Sequence, residues 1–166
     1  MLQPVRRRTW APRGQTPIQR AWDRHDRLSA IAVITLSPAR RRPNLYFQLL
    51  PQNVRADDMI WFLTQMHRHI GGKIILVWDR SSVHRSAAKH FEEQHPNWFQ
   101  FEYLPAYAPD LNPTEQVWNH AKYSDLANFV PKDVKQLSSE VDQSFRDQQE
   151  SPSLLRSFIQ HADLDL

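Results

Sequence analysis

Two carboxylates, Asp79 and Glu115, occupy positions from which they could bind a metal ion. Asp79 ends the apolar run at residues 74–78, and Glu115 follows the turn segment at residues 108–113. A carboxylate at the C-terminal end of a buried strand lies at the sheet edge where α/β proteins bind ligands. Carboxylate oxygens suit hard divalent cations, which can activate oxygen nucleophiles in phosphodiester chemistry. Both residues are therefore candidate ligands in a phosphodiester-cleaving site.

Each carboxylate also has an ordinary structural explanation. Two serines follow Asp79 closely, so this residue could belong to a turn or cap a helix. Asn112 and Pro113 favour a helix start. Glu115 would then occupy the third helical position, from which it can bond back to the cap amide. Taken one at a time, the two carboxylates leave both explanations open.

The elements that must position these residues follow from hydrophobic period and turn chemistry. The sequence predicts strands at 28–36, 44–50, 74–78 and 99–104, and helices at 56–70, 86–94, from 113 onward, and twice after 128. Residues 74–78 are apolar on both faces, which is typical of an interior parallel strand. The order predicts an α/β fold.

Composition limits the possible chemistry. The 166 residues fit one domain, and the absence of cysteine excludes disulfides, thiolate nucleophiles and cysteine-bound zinc. Oxygen and imidazole remain as metal ligands, which favours magnesium or manganese. No run of about 18 apolar residues occurs, so we expect no membrane partner and a cytoplasmic protein.

Basic charge is concentrated near the N-terminus. Residues 1–42 contain ten arginines and two aspartates, whereas the whole chain has a net charge of only +3. A solvated surface is one explanation. The guanidinium group matches phosphate geometry, so an arginine cluster favours contact with a polyanion.

Three separated segments resemble the DDE transposases, which are DDE superfamily endonucleases. The segments are RRRTWAPRGQTP at 6–17, VWDRSSVHRS at 77–86 and FEYLPAYAPDLNPTEQVWNHAK at 101–122. They are similar in particular to the bacterial insertion-sequence branch of the mariner superfamily. The resemblance covers about residues 1–125 and implies a ribonuclease-H-like fold, with a mixed sheet flanked by helices.

The resemblance also implies roles for individual residues. Asp79 would be the second catalytic carboxylate and Glu115 the third, together holding two Mg²⁺ or Mn²⁺ ions. His84 and Asn112 would lie beside the acidic pair, near the substrate, although His84 could instead cap the following helix and Asn112 the next one. The expected contacts with the DNA backbone are Arg6, Arg7, Arg8 and Arg13.

In this family the first catalytic aspartate ends an opening strand, which would precede the segment corresponding to Met1. We therefore expect an N-terminally truncated chain, with a partial catalytic domain at 1–128 and a helical extension at 129–166. Without that strand, the strands at 28–36 and 74–78 would either pair directly or leave the chain poorly stable.

The expected function is metal-dependent DNA cleavage and strand transfer in transposition, by a chain whose own site is incomplete. A catalytically inactive DNA-binding or regulatory fragment is the alternative, so the sequence leaves open whether the chain is itself an enzyme. The expected partners are transposon-end DNA, target DNA and a second copy of the chain in a homodimer. The expected setting is the bacterial cytoplasm, at the nucleoid when bound to DNA.

Overall fold

Strands and helices alternate along most of the chain. The computed structural model describes residues 11–15, 28–39, 42–106 and 108–162. In chain order the strands and α-helices are β1 (Ser29–Leu36), β2 (Pro43–Leu50), α1 (Ala56–Ile70), β3 (Ile74–Trp78), α2 (Ser82–Gln94), β4 (Phe99–Tyr103), α3 (Thr114–His120), α4 (Val134–Gln149) and α5 (Pro152–His161). A 3₁₀ helix at Pro109–Leu111 precedes α3, and a π-helix at Ala121–Asp125 follows it.

The strands form two separate two-stranded sheets. β1 and β2 pair antiparallel, with Ser29 opposite Leu50. β3 and β4 pair parallel, with Trp78 opposite Tyr103. Helix α2 supplies the crossover that a parallel pair requires. The C-terminal ends of β3 and β4 therefore lie at the same edge.

Helices α1 and α2 pack against one face of both sheets. The apolar residues of α1 recur at helical spacing and form a single stripe. The buried residues of this first core are Ile31, Leu50, Met59, Phe62, Leu63, Met66, Leu76, Trp78, Ala87, Ala88, Phe91 and Phe99. Helix α1 ends at Gly71 and Gly72, whose φ angles of 73° and 68° favour glycine.

Helices α3, α4 and α5 cover the opposite face of the β1–β2 hairpin. The buried residues of this second core are Leu45, Val117, Ala121, Leu126, Val141, Phe145, Leu155 and Phe158. The Phe145 ring meets Phe47 and Trp118 edge-on, at centroid distances of 5.2 and 5.3 Å. The helices after residue 128 therefore share a core with β2 and α3. The division of the chain at residue 128 stays a prediction.

The expectation that β3 is buried on both faces is wrong, and one of the two outcomes expected for β1 and β3 does not occur. Ile75 and Val77 of β3 are 64% and 51% exposed, so β3 is buried on one face only. Helices α4 and α5 pack on β2 and leave that face of β3 uncovered. β1 and β3 do not pair directly, since β1 pairs with β2 and β3 pairs with β4. The other expected outcome, a poorly stable chain, stays a prediction.

Most of the predicted elements are confirmed to within one residue. Helix α2 is the exception, because it begins at Ser82 and not at residue 86. The hydroxyl of Ser81 accepts a hydrogen bond from the amide of His84 at 3.2 Å and so caps the earlier start. No helix in the described ranges is both long and apolar enough to span a membrane.

Candidate active site

Asp79 directly follows the last residue of β3, at the edge where the parallel pair ends. The amide of Leu104 donates to the carbonyl of Trp78 at 2.9 Å, so hydrogen bonding to the neighbouring strand continues up to this point. The Oδ1 atom of Asp79 accepts a hydrogen bond from the amide of Ser81 at 2.8 Å. Asp79 is thus the turn aspartate that its serine neighbours suggested, and its carboxylate still faces solvent.

His84 holds the Asp79 carboxylate from the first turn of α2. Its Nδ1 lies 2.6 Å from Oδ1 of Asp79, a geometry in which the imidazole donates and the carboxylate accepts. The imidazole stacks on the indole of Trp78, with ring centroids 4.5 Å apart, and Trp78 stacks in turn on Phe101 at 5.2 Å. Ser81 is the helix cap, so the expectation that His84 caps α2 is wrong.

Opposing effects act on the pKa of Asp79. Partial burial raises the pKa, but the Ser81 amide and the charge and hydrogen bond of His84 together lower it more, so the net pKa lies below the ordinary value. Asp79 is consequently ionised at neutral pH. It presents a fixed negative charge at the sheet edge.

Glu115 is the second residue of α3, one position earlier than predicted, because the helix begins at Thr114. The side chain of Asn112 accepts from the Thr114 amide at 3.1 Å, as expected of a residue that starts a helix. The Asn112 amide itself donates to the carbonyl of Pro109 at 2.9 Å. Glu115 therefore does not form the predicted bond back to that amide, and its carboxylate is not used as a cap.

The charge of Asp79 acts on Glu115. Burial raises the pKa of Glu115, and repulsion from the Asp79 charge raises it further. Two carboxylates from separate elements, 36 positions apart in the chain, thus share one electrostatic environment. A bound cation would relieve the repulsion between them.

A family model supplies the identification. The model of the DDE superfamily endonucleases matches residues 1–138. The chain belongs to this family. No curated protein sequence matches the chain.

A solved structure supports the fold of this DDE endonuclease chain. A chain in the crystal structure of the Mos1 strand transfer complex superposes with a TM-score of 0.51 at 16% identity. The superposition covers 99% of this chain and 52% of the other, so this chain spans about half the length of the solved one. The ribonuclease-H-like α/β fold implied by the sequence resemblance is confirmed.

DDE endonucleases depend on divalent metal ions, and the two carboxylates fit such an ion. Both are oxygen ligands, and their mutual repulsion marks a place where positive charge is favourable. Within the described residues no group of three or more acidic, histidine or cysteine side chains could hold a metal. Asp79 and Glu115 would therefore supply two of the ligands and leave other positions to water or substrate.

Arg80 is a residue that the sequence analysis did not select. It is exposed and directly follows Asp79, and its guanidinium carbon lies 5.7 Å from the centroid of the Tyr103 ring. Its position after a candidate catalytic carboxylate was the signal that could have identified it. Of the four predicted DNA contacts, Arg13 is exposed, whereas Arg6, Arg7 and Arg8 lie outside the described residues.

Proposed function

We propose that this chain acts in DNA transposition as a metal-dependent DNA-cleaving and strand-transferring domain. The observation that carries the proposal is the match of residues 1–138 to the DDE superfamily endonucleases. The effect of the Asp79 charge on the pKa of Glu115 supports a shared site for the two carboxylates. The proposed ions are Mg²⁺ or Mn²⁺. The proposed substrates are transposon ends and target DNA, met in the bacterial cytoplasm by a homodimer of the whole protein.

Each side chain of the site would have a separate role. The hydrogen bonds from the Ser81 amide and His84 both reach Oδ1 of Asp79 and would orient the carboxylate toward a metal. The Glu115 carboxylate makes no capping hydrogen bond and is affected by the charge of Asp79. Divalent ions, when bound, activate the attacking oxygen and stabilise the leaving one. Arg80 would pair with a DNA phosphate next to the reacting one.

A second candidate function is a catalytically inactive DNA-binding or regulatory fragment. The observation that favours it is the count of acidic ligands, since only two carboxylates meet in the part of the chain that the structure describes. Such a fragment would keep the basic surface and bind DNA. It would bind a divalent ion weakly and would not turn over.

Metal titration of the full chain tests the proposal. Isothermal titration with Mn²⁺ should give binding that both Asp79→Asn and Glu115→Gln abolish, because each removes one charged ligand. Glu140→Gln, on the exposed surface of α4, is the matched control and should bind like the unaltered chain. Absence of Mn²⁺ binding by the unaltered chain would refute the metal site.

Plasmid nicking separates the two candidate functions. Mn²⁺-dependent nicking that is lost in both site variants supports the enzyme. DNA binding without nicking, in a chain that binds Mn²⁺ only weakly, supports the inactive fragment.

A further inference from the structure

The orientation of Glu115 depends on helix α3, which is too short to be stable on its own. Helix α3 has seven residues, about two turns, and isolated helices of that length are unstable in water. Tertiary contacts must therefore fix it. Val117 is fully buried in the second core, which provides an apolar anchor. Trp118 adds a second, partly buried apolar contact against Phe145, and both contacts lie on the side of the helix that faces this core.

A chain of buried polar groups supplies the remaining constraint. The amide nitrogen of Gln148 lies 3.4 Å from the Val117 carbonyl and 3.2 Å from the hydroxyl of Ser144. The Ser144 hydroxyl donates to Oδ2 of Asp125 at 2.6 Å, and Oδ1 of Asp125 lies 3.5 Å from Nε2 of His120. We call these contacts the α3–α4 polar chain. It begins on the backbone of α3 and returns to the last residue of the same helix.

The α3–α4 polar chain is energetically expensive. Gln148 and Ser144 are 1% and 3% exposed, so their polar groups are removed from water. The Oε1 atom of Gln148 has no hydrogen-bond partner within the described part of the chain. A buried group left unpaired costs about 1–3 kcal/mol, which an apolar side chain of similar size would avoid. Stability alone does not explain a glutamine at this position.

The π-helix supports the same conclusion. Residues Ala121–Asp125 form a π-turn directly after α3, and Asp125 ends it. π-turns are rare and occur frequently at functional sites. Here the π-turn ends at Asp125, whose carboxylate accepts the hydrogen bond from the Ser144 hydroxyl. The π-turn therefore places the Asp125 carboxylate in the α3–α4 polar chain.

We propose that Gln148, Ser144 and Asp125 are positioning residues for Glu115, and that they orient α3 from the face of α4. This inference rests on the proposed function, in which Glu115 is a metal ligand. Groups that hydrogen-bond a metal ligand directly change metal affinity by about 10–100-fold when they are replaced. These residues act one step further from the ligand, so we expect a change at the lower end of that range, about tenfold. Helices α4 and α3 would then form one functional unit.

The test compares Gln148→Leu with Gln143→Leu in the full chain. Gln143 lies on the exposed surface of α4 and bonds only to Asp147 of its own helix, so the same substitution there is a matched control. Three quantities are measured for each protein: the free energy of unfolding in urea, hydrogen exchange of the amides at residues 114–120, and Mn²⁺ affinity.

We expect stability and positioning to separate. Gln148→Leu should unfold at the same or a higher urea concentration, because it removes an unpaired buried acceptor. Its α3 amides should nevertheless exchange about tenfold faster or more, and Mn²⁺ affinity should fall about tenfold. Ser144→Ala, a second and smaller change, should also speed exchange of the α3 amides and weaken Mn²⁺ binding. It should lower the free energy of unfolding as well, because it removes the hydroxyl that bonds Asp125 and Gln148. Gln143→Leu should match the unaltered chain in all three.

Two results would overturn the inference. The first is α3 exchange in both core variants equal to that of the unaltered chain. The second is a parallel fall in unfolding free energy and α3 protection in Gln148→Leu, which indicates a merely structural role. If the unaltered chain binds no Mn²⁺, the proposed function fails, but the exchange comparison still decides whether Gln148 and Ser144 orient the helix.

Discussion

Replacing Glu115 with glutamine should stabilise the metal-free protein at neutral pH. Burial and the Asp79 charge raise the pKa of Glu115, so ionisation of this residue works against folding. Both side chains are partly exposed, which limits the effect to about 0.2–1 kcal/mol, the range measured for screened charge pairs. For a chain of this size, 1 kcal/mol shifts Tm by about 2–4 °C. The expected rise is therefore about 0.4–4 °C.

The pH dependence of this gain has a definite sign. Because the folded pKa of Glu115 is raised, native protein binds its proton more tightly than unfolded protein does, and the associated stability is lost as the pH rises through the folded pKa. The gain from Glu115→Gln should therefore be absent below the ordinary glutamate value of about 4.3 and complete above the raised one. The assay is scanning calorimetry in EDTA between pH 4 and pH 7.5.

Added metal should reverse the order of stability. At ten times its dissociation constant, an ion that binds only the folded protein stabilises it by about 1.4 kcal/mol. Glu115→Gln should gain nothing. Asp57→Asn, in the first turn of α1, is the control and should lower the stability in EDTA. The helix dipole favours the negative charge that this substitution removes. A Glu115→Gln protein less stable than the unaltered one at pH 7 in EDTA would refute the reasoning.

Two further predictions concern DNA binding and the second core. Arg80→Gln should weaken DNA binding and lower the slope of log affinity against log salt by about 1, as measured by fluorescence anisotropy. Arg68→Gln, at the end of α1, should leave the slope unchanged, and an equal loss in both variants would contradict a specific phosphate contact. Phe145→Ala should lower the unfolding free energy by about 3–5 kcal/mol in urea, because its ring is buried between Phe47 and Trp118. Trp61→Ala, at a side chain 56% exposed, should cost much less, and equal losses would contradict a shared core.

The sequence predicted elements well where one local signal dominated. Both α1 and β3 have the predicted bounds. The apolar residues of α1 keep a clear helical period up to Gly71, and β3 is an uninterrupted apolar run that ends at Asp79. The start of α2 was missed because Ser81, Ser82 and Ser86 can each cap a helix. Only the spatial contact of Ser81 with the His84 amide decides between them.

The rest depended on contacts between distant segments. The apolar pattern of β3 does not say which layer covers each face, so the exposure of Ile75 and Val77 was not predictable. The meeting of Asp79 with Glu115 followed from motif order, but the raised pKa of Glu115 needs their spatial proximity. In the sequence, Gln148 looks like an ordinary polar residue of an amphipathic helix. Its buried contact is with a carbonyl 31 residues away, so the neighbouring residues do not indicate that it is buried.

The division of the strands into two sheets has a mechanical consequence for the carboxylates. Asp79 belongs to the half built on the first core, and Glu115 to the half built on the second. Among the described strands, no backbone ladder crosses from one half to the other. Side-chain packing and the connections of the chain hold the two halves together there. An ion held by both carboxylates would therefore act as a cross-link between the two halves.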